Sequence, residues 1–138
     1  MLSLQVGPAP DAVALALGLP EASPVTALER IRFAQGEPLA LLRNFIPQGL
    51  VDLTADALER TGLYQLMGAA GVRLHLASQT IGARAATAAE AAALQDRKGA
   101  SVLTMQRTTF DDAGRAVEYG THLYRASIYS FEFVLVNR

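Results

Sequence analysis

Arg30 and Arg32 stand two residues apart in a stretch, 25–33, where Val25, Ala27, Ile31 and Phe33 alternate with Leu28, Arg30 and Arg32. Positions of equal parity on an extended strand share a face, so both guanidinium groups point the same way. Each offers a planar fork of donors suited to a carboxylate or phosphate, and two like charges side by side repel unless an anion joins them. Glu118 and Tyr124 likewise share parity on a later strand-like run. Six residues of straight strand span about 20 Å, so a bend or loop is expected to bring this carboxylate and phenol to one site. Tyr64 follows Gly62, where a helix begins and free backbone N–H groups can help to bind an anion. The five residues suit reversible capture of a small acid, and the competing reading is a solvated sheet face carrying ordinary salt bridges.

Other chemistry lacks the residues it needs. The chain has no G-x-G-x-x-G, no G-x-x-x-x-G-K-[ST] and no G-x-S-x-G, the patterns that cradle phosphates or present a nucleophilic serine. His75 and His122 are far apart and fit no metal-ligand spacing, so both are expected to be packed or surface side chains. Asp111 and Asp112 are neighbours, and adjacent extended positions point apart, which favours a turn over a carboxylate pair. Without cysteine there is no thiolate nucleophile, thiolate metal site or disulfide. No catalytic residue, metal or cofactor is expected.

The elements that must position the five residues belong to one domain. The 138 residues, 51% hydrophobic and 18% charged, can bury one core and form no low-complexity tract. Twelve basic residues against thirteen acidic ones leave no broad positive field, so this segment alone is not expected to bind DNA. No apolar run approaches the length of a membrane helix and the N-terminus lacks a secretion signal. The absence of cysteine is compatible with a reducing cytoplasm, the default location.

Residues 1–9 read as loosely held. Asp11 can cap a short helix through Leu17 that Gly18 ends. Strands at 25–33 and 39–46 flank the turn Gln35-Gly36-Glu37-Pro38, a hairpin. Thr54 opens a helix to about Arg60, and residues 63–67 make another turn or two. A half-buried strand over 72–83 precedes a helix over 88–95, where Thr87 and Glu90 have the spacing of a capping box. Residues 101–110 and 115–124 form a second hairpin around Asp111-Asp112-Ala113-Gly114, and 130–136 alternates as a last strand. The class is α+β: about six strands, mostly antiparallel because short turns join them, with three or four short helices covering one side.

The runs "ALERIRFAQGEPLALLRNFIP", "LYQLMGAAGVRL" and "IGARAATAAEAAALQDRKGASVLTMQRTTFDDAGRAVEYGTHLYRASIYSFEF", in that order, resemble the UTRA domain, the effector-binding half of GntR regulators of the HutC subfamily. The resemblance spans residues 10–138. It implies a chorismate-lyase-like fold without lyase activity that binds a small metabolite and pairs into a homodimer. It also implies that DNA is reached only through a preceding winged-helix domain, absent from this sequence, which then reads as an isolated domain. Effector-contacting positions of similar members match Arg30, Arg32, Tyr64, Glu118 and Tyr124. Amino-sugar-phosphate sensors of the family carry an acid where Leu42 stands and a small hydroxyl residue where Gly62 stands, so the likeness points to a different acid. A small lyase-like enzyme using Glu118 as general acid or base, and a dimerisation module with a vestigial pocket, are the alternatives.

Overall fold

The computed structural model describes residues 2–136. Gln35 and Gly36 both take left-handed backbone, φ 52° and 80°. That geometry matches the twist of paired strands, and it joins β2 (Pro24–Ala34) to β3 (Glu37–Pro47). The second hairpin joins β5 (Ser101–Asp111) to β6 (Ala116–Arg125). Its turn is held by Asp111, whose Oδ1 accepts the backbone N–H groups of Ala113 at 3.0 Å and Arg115 at 2.9 Å. Asp111 therefore does the turn work expected of it. With β1 (Ser3–Pro8) and β4 (Leu74–Ala85) the strands form one antiparallel sheet in the order β1-β2-β3-β6-β5-β4.

Five expectations change here, the last of them the cap of the first helix. Residues 3–8, read as loosely held, pair with β2 from Ser3↔Glu29 to Pro8↔Pro24; backbone pairing holds a strand whose own side chains are mostly exposed. Residues 130–136 form no strand. Tyr129 stacks on Tyr124 and Phe131 meets it edge-on, with ring centres 4.4 and 5.5 Å away, so the start of the segment lies over the sheet instead of along its edge. β4 is exposed at eleven of its twelve residues and not half-buried, because it is an outer strand that no helix covers.

The fourth change concerns the helices, which pack on both faces and not on one. Parity sorts them. Leu28 and Ile46 point to the face where α2 (Ala55–Arg60) and α3 (Leu63–Ala69) bring Leu58, Leu63 and Met67. Val25 points to the other face and meets Val13, Ala14 and Leu17 of α1 (Asp11–Leu17), while Leu41, Val102 and Leu123 meet Ala91 and Leu94 at α4 (Ala88–Ala93). Full burial of each such aliphatic side chain stabilises by roughly 1.5–3 kcal/mol. The helices are too short to persist alone, so packing and caps hold them. Thr54 accepts the N–H of Ala57 at 3.1 Å, and Thr87 with Glu90 completes the capping box. Arg84 grips Glu90 with two bonds of 2.7 and 2.9 Å and holds its carboxyl down at about 2. Asp11 is not the cap of α1: Pro10 occupies that position and Asp11 lies in the first turn, while Gly18 ends the helix at φ 64° as expected. Among the described residues no helix is long and apolar enough to cross a membrane.

Candidate functional site

The face carrying α2 and α3 is apolar beneath them and polar alongside. Ladder register explains which side chains meet. Arg30 on β2 lies beside Leu42 on β3, which lies beside His122 on β6 and Met105 on β5; the next rung runs Leu28, Asn44, Gly120, Arg107. Thr109 pairs with Glu118 one step further.

Glu118 is the base of the site. It is 1% exposed and accepts three hydrogen bonds: from Thr109 Oγ1 at 2.8 Å, from Asn44 Nδ2 at 2.9 Å and from the Tyr64 hydroxyl at 3.0 Å. A buried carboxylate is tolerable only when its lone pairs are met in this way. Asn44 links it to the cations, since its Oδ1 accepts Arg30 Nη2 at 3.2 Å. With the carbonyl turned to Arg30, the Asn44 NH₂ faces Glu118 and also His122 Nε2 at 3.5 Å. That orientation makes Nε2 the acceptor and puts the imidazole proton on Nδ1. Burial first, then the charges of Arg107 and Arg30, push His122 down to about 4, so it is neutral near pH 7.

Gly120 lets the cluster close. A Cβ there would stand 2.9 Å from Glu118 Oε2, 3.0 Å from His122 Nε2 and 3.3 Å from Asn44 Nδ2. Arg107 completes the group from the far side, its Nη1 donating to Tyr64 at 3.3 Å and its Nε to Gln79 Oε1 on β4 at 2.8 Å.

Above these groups lies a cavity of about 270 Å³ lined by Arg30, Asn44, Tyr64, Gln65, Arg107 and His122, with Gly62 and Leu63 at its edge. Two guanidinium groups and a neutral imidazole face it over one buried carboxylate. Burial lowers the Arg30 pKa, against the pull of Glu118, and its Nε is buried with no acceptor among the described residues. An unmet cationic donor at a cavity wall is suited to an anionic oxygen. A larger hollow of about 550 Å³ between α1 and the β5–β6 turn is mainly aliphatic; its one charged wall residue, Arg115, is paired with Asp111 at 3.0 Å.

Of the five residues singled out in the sequence, Arg30 and Tyr64 line the cavity and Glu118 lies beneath it. Arg32 shares the Arg30 face but is exposed beside Ala40, outside the lining. Tyr124 is buried in the stack with Tyr129 and Phe131; burial, and next Tyr129, raise its pKa and keep the phenol neutral. β6 runs unbroken from Ala116 to Arg125, so the bend expected to gather Glu118 and Tyr124 is absent. They sit near opposite ends of one strand. Asn44, Gln65, Arg107 and His122 went unselected. Parity could have put Arg107 and Thr109 on one face, but only the register of four strands sets them beside Arg30. No group of three or more metal-ligating side chains occurs among the described residues.

Residues 1–130 match the model of the UTRA domain family. The chain is 28% identical to the HTH-type transcriptional repressor NagR of Bacillus subtilis over 95% of its own length and 54% of that protein. It is 31% identical to the HTH-type transcriptional regulator Rv0792c of Mycobacterium tuberculosis over 98% of its length and 51% of that protein. The chain thus spans about half the length of these curated relatives. Among solved structures, a transcriptional regulator from Streptomyces coelicolor superposes with a TM-score of 0.96 at 58% identity, covering 99% of this chain and 91% of that one. The ligand-binding domain of a GntR-family regulator from Bordetella bronchiseptica shares the fold, with a TM-score of 0.90 at 24% identity over 98% of this chain and 86% of that one.

Proposed function

The chain belongs to the UTRA domain family, and from that premise we propose that it is the effector-sensing part of a GntR-type transcription regulator, holding a small anionic metabolite between Arg30 and Arg107. One observation carries the reading: two guanidinium groups line a single small cavity, and one of them has a buried N–H without an acceptor among the described residues. An anion there relieves the repulsion between the arginines and satisfies that donor in one step. Tyr64 and Gln65 hydrogen-bond the remainder of the ligand, and Glu118 positions Tyr64 and Asn44 from below. A volume of about 270 Å³ suits a small acid.

Binding is reversible and involves no chemistry. In support, the buried carboxylate is occupied by three donors and lies under the cavity. The domain works as a homodimer in the cytoplasm, and DNA is contacted by another part of the regulator. An effector that favours one dimer arrangement by ~1–3 kcal/mol shifts operator affinity ~5- to 150-fold. Calorimetric titration with a panel of small carboxylates and phosphates is the test. A charge-assisted bond is worth ~1.5–3 kcal/mol, so Arg30→Gln and Arg107→Gln each weaken the ligand found by ~10- to 150-fold. Unchanged affinity in both variants refutes the site.

A further inference from the structure

The cavity wall is rich in protons to give and poor in places to receive them. Glu118 is 1% exposed, and its carboxylate is taken by Thr109, Asn44 and Tyr64. Asn44 is itself buried and gives its carbonyl to Arg30, while its NH₂ faces His122 Nε2. The Tyr64 hydroxyl sends its proton to Glu118 and accepts one from Arg107. Among the lining side chains, that leaves the Gln65 carbonyl and at most one lone pair of Tyr64 to receive a proton from a ligand. Donors are in surplus. Arg30 Nε has no acceptor among the described residues, and neither has His122 Nδ1–H. Arg107 spends three of its five N–H groups on Tyr64, Gln79 and Met105 Sδ and keeps the others. The rest of the surroundings is apolar. Leu42 stands between Arg30 and His122 on the ladder with Met105 next in line, and both belong to the cluster around Tyr124, Tyr129 and Phe131.

We infer that the cavity selects a carboxylic acid with an apolar or keto-bearing body and discriminates against amino acids and polyhydroxy acids. This rests on the anion reading above and narrows its chemical class. An ionised carboxylate only accepts, so its two oxygens answer the Arg30 and Arg107 donors without bringing a proton of their own. A keto or ether oxygen on the body meets donors already waiting at His122 and Gln65. Hydrocarbon lies against Leu42 and Leu63, which cross-strand and lining positions set beside the two cationic groups. A hydroxyl-rich body has the opposite fit. Each O–H that leaves water for this cavity needs an acceptor, and once Gln65 and Tyr64 are used the next is stranded at the full cost of its desolvation. An ammonium brings three such protons and a positive charge beside two guanidinium groups. The wall therefore sorts acids by the number of protons they must place.

Four carboxylates with the same number of carbons test this at pH 7: hexanoate, 4-methyl-2-oxopentanoate, leucine and gluconate, each titrated calorimetrically into the wild-type chain, with inorganic phosphate in parallel. Gluconate carries the same single charge as hexanoate, so a deficit in its binding reads the hydroxyl groups alone. The expected result is that hexanoate and 4-methyl-2-oxopentanoate bind, that gluconate and leucine bind at least about tenfold more weakly, and that Arg30→Gln weakens the oxo acid by about tenfold or more. Gluconate or leucine binding as tightly as the oxo acid overturns the inference and leaves the anion site standing. So does binding of phosphate with none of the four carboxylates. Oxo-acid affinity unchanged in both Arg30→Gln and Arg107→Gln places that ligand elsewhere and overturns both readings, as does failure of all five probes to bind at millimolar concentration.

Discussion

Acidification from pH 7 to pH 5 is expected to destabilise the fold by about 2 kcal/mol through His122 alone. The imidazole protonates near 6.5 in the unfolded chain and near 4 in the folded one, so between those values the unfolded state binds the extra proton. Stability from this group is therefore complete above about 6.5 and is lost as pH falls toward 4. From 6.5 to 5 the loss covers one and a half pH units at ~1.4 kcal/mol each. The structural cause is directional as well as electrostatic. Protonated Nε2 would face the Asn44 NH₂, which cannot turn without giving up Arg30 and Glu118. Urea denaturation of wild type and His122→Gln at pH 7 and pH 5 isolates the effect, because every other titrating group is common to both. Wild type is expected to lose about 2 kcal/mol more than the variant over that range. Parallel losses would refute the assignment of His122 as a buried neutral base.

Linkage extends this prediction: an anion between Arg30 and Arg107 offsets their effect on His122, so effector affinity should strengthen from pH 7 to pH 5, which titrations at the two values will reveal. Gly120→Ala places a methyl within 3.0 Å of Glu118 Oε2 and His122 Nε2 and should cost ~1–3 kcal/mol of stability together with ligand binding, measured by thermal shift with and without the ligand. Glu118→Leu strands the Asn44, Thr109 and Tyr64 donors and is expected to destabilise more than Glu118→Gln, whose carbonyl still accepts from Thr109 and Tyr64 while its NH₂ leaves only the Asn44 donor unmet; equal denaturation midpoints would contradict the three-donor account. Thr87→Ala removes the α4 cap and should lower stability by ~1 kcal/mol in urea without changing effector affinity.

Much of the scaffold was readable because it follows local rules. Gln35-Gly36 and Asp111-Asp112-Ala113-Gly114 mark turns by residue type, Thr54 and Thr87 mark helix starts, and alternation marks β2, β3, β5 and β6. Reading failed where context outweighs pattern. Residues 3–8 are short and end in Gly7-Pro8, which does not announce a strand, yet β2 supplies a partner. Residues 130–136 announce one, yet Tyr129 and Phe131 pack on Tyr124 instead. The alternation in β4 shows which side chains share a face, and cannot show that both faces lie open. The site follows the same division. Parity grouped Arg30 with Arg32 and Glu118 with Tyr124, but it carries no information on position along a face. Register across four strands does, and it sets Arg107, Asn44 and His122 around Arg30 while leaving Arg32 and Tyr124 outside the lining.

The missing side chain at position 120 also bears on how such a sensor can diverge. Three polar groups converge on the space above that glycine, so a mutation there, or at any one of the three, disturbs the other two at once. Gln65 and Gly62, at the cavity wall and rim, carry no such obligation to one another. New ligand preferences are therefore more accessible through the periphery than through the centre, and a lineage can exchange one acid for another while its innermost residues stand still.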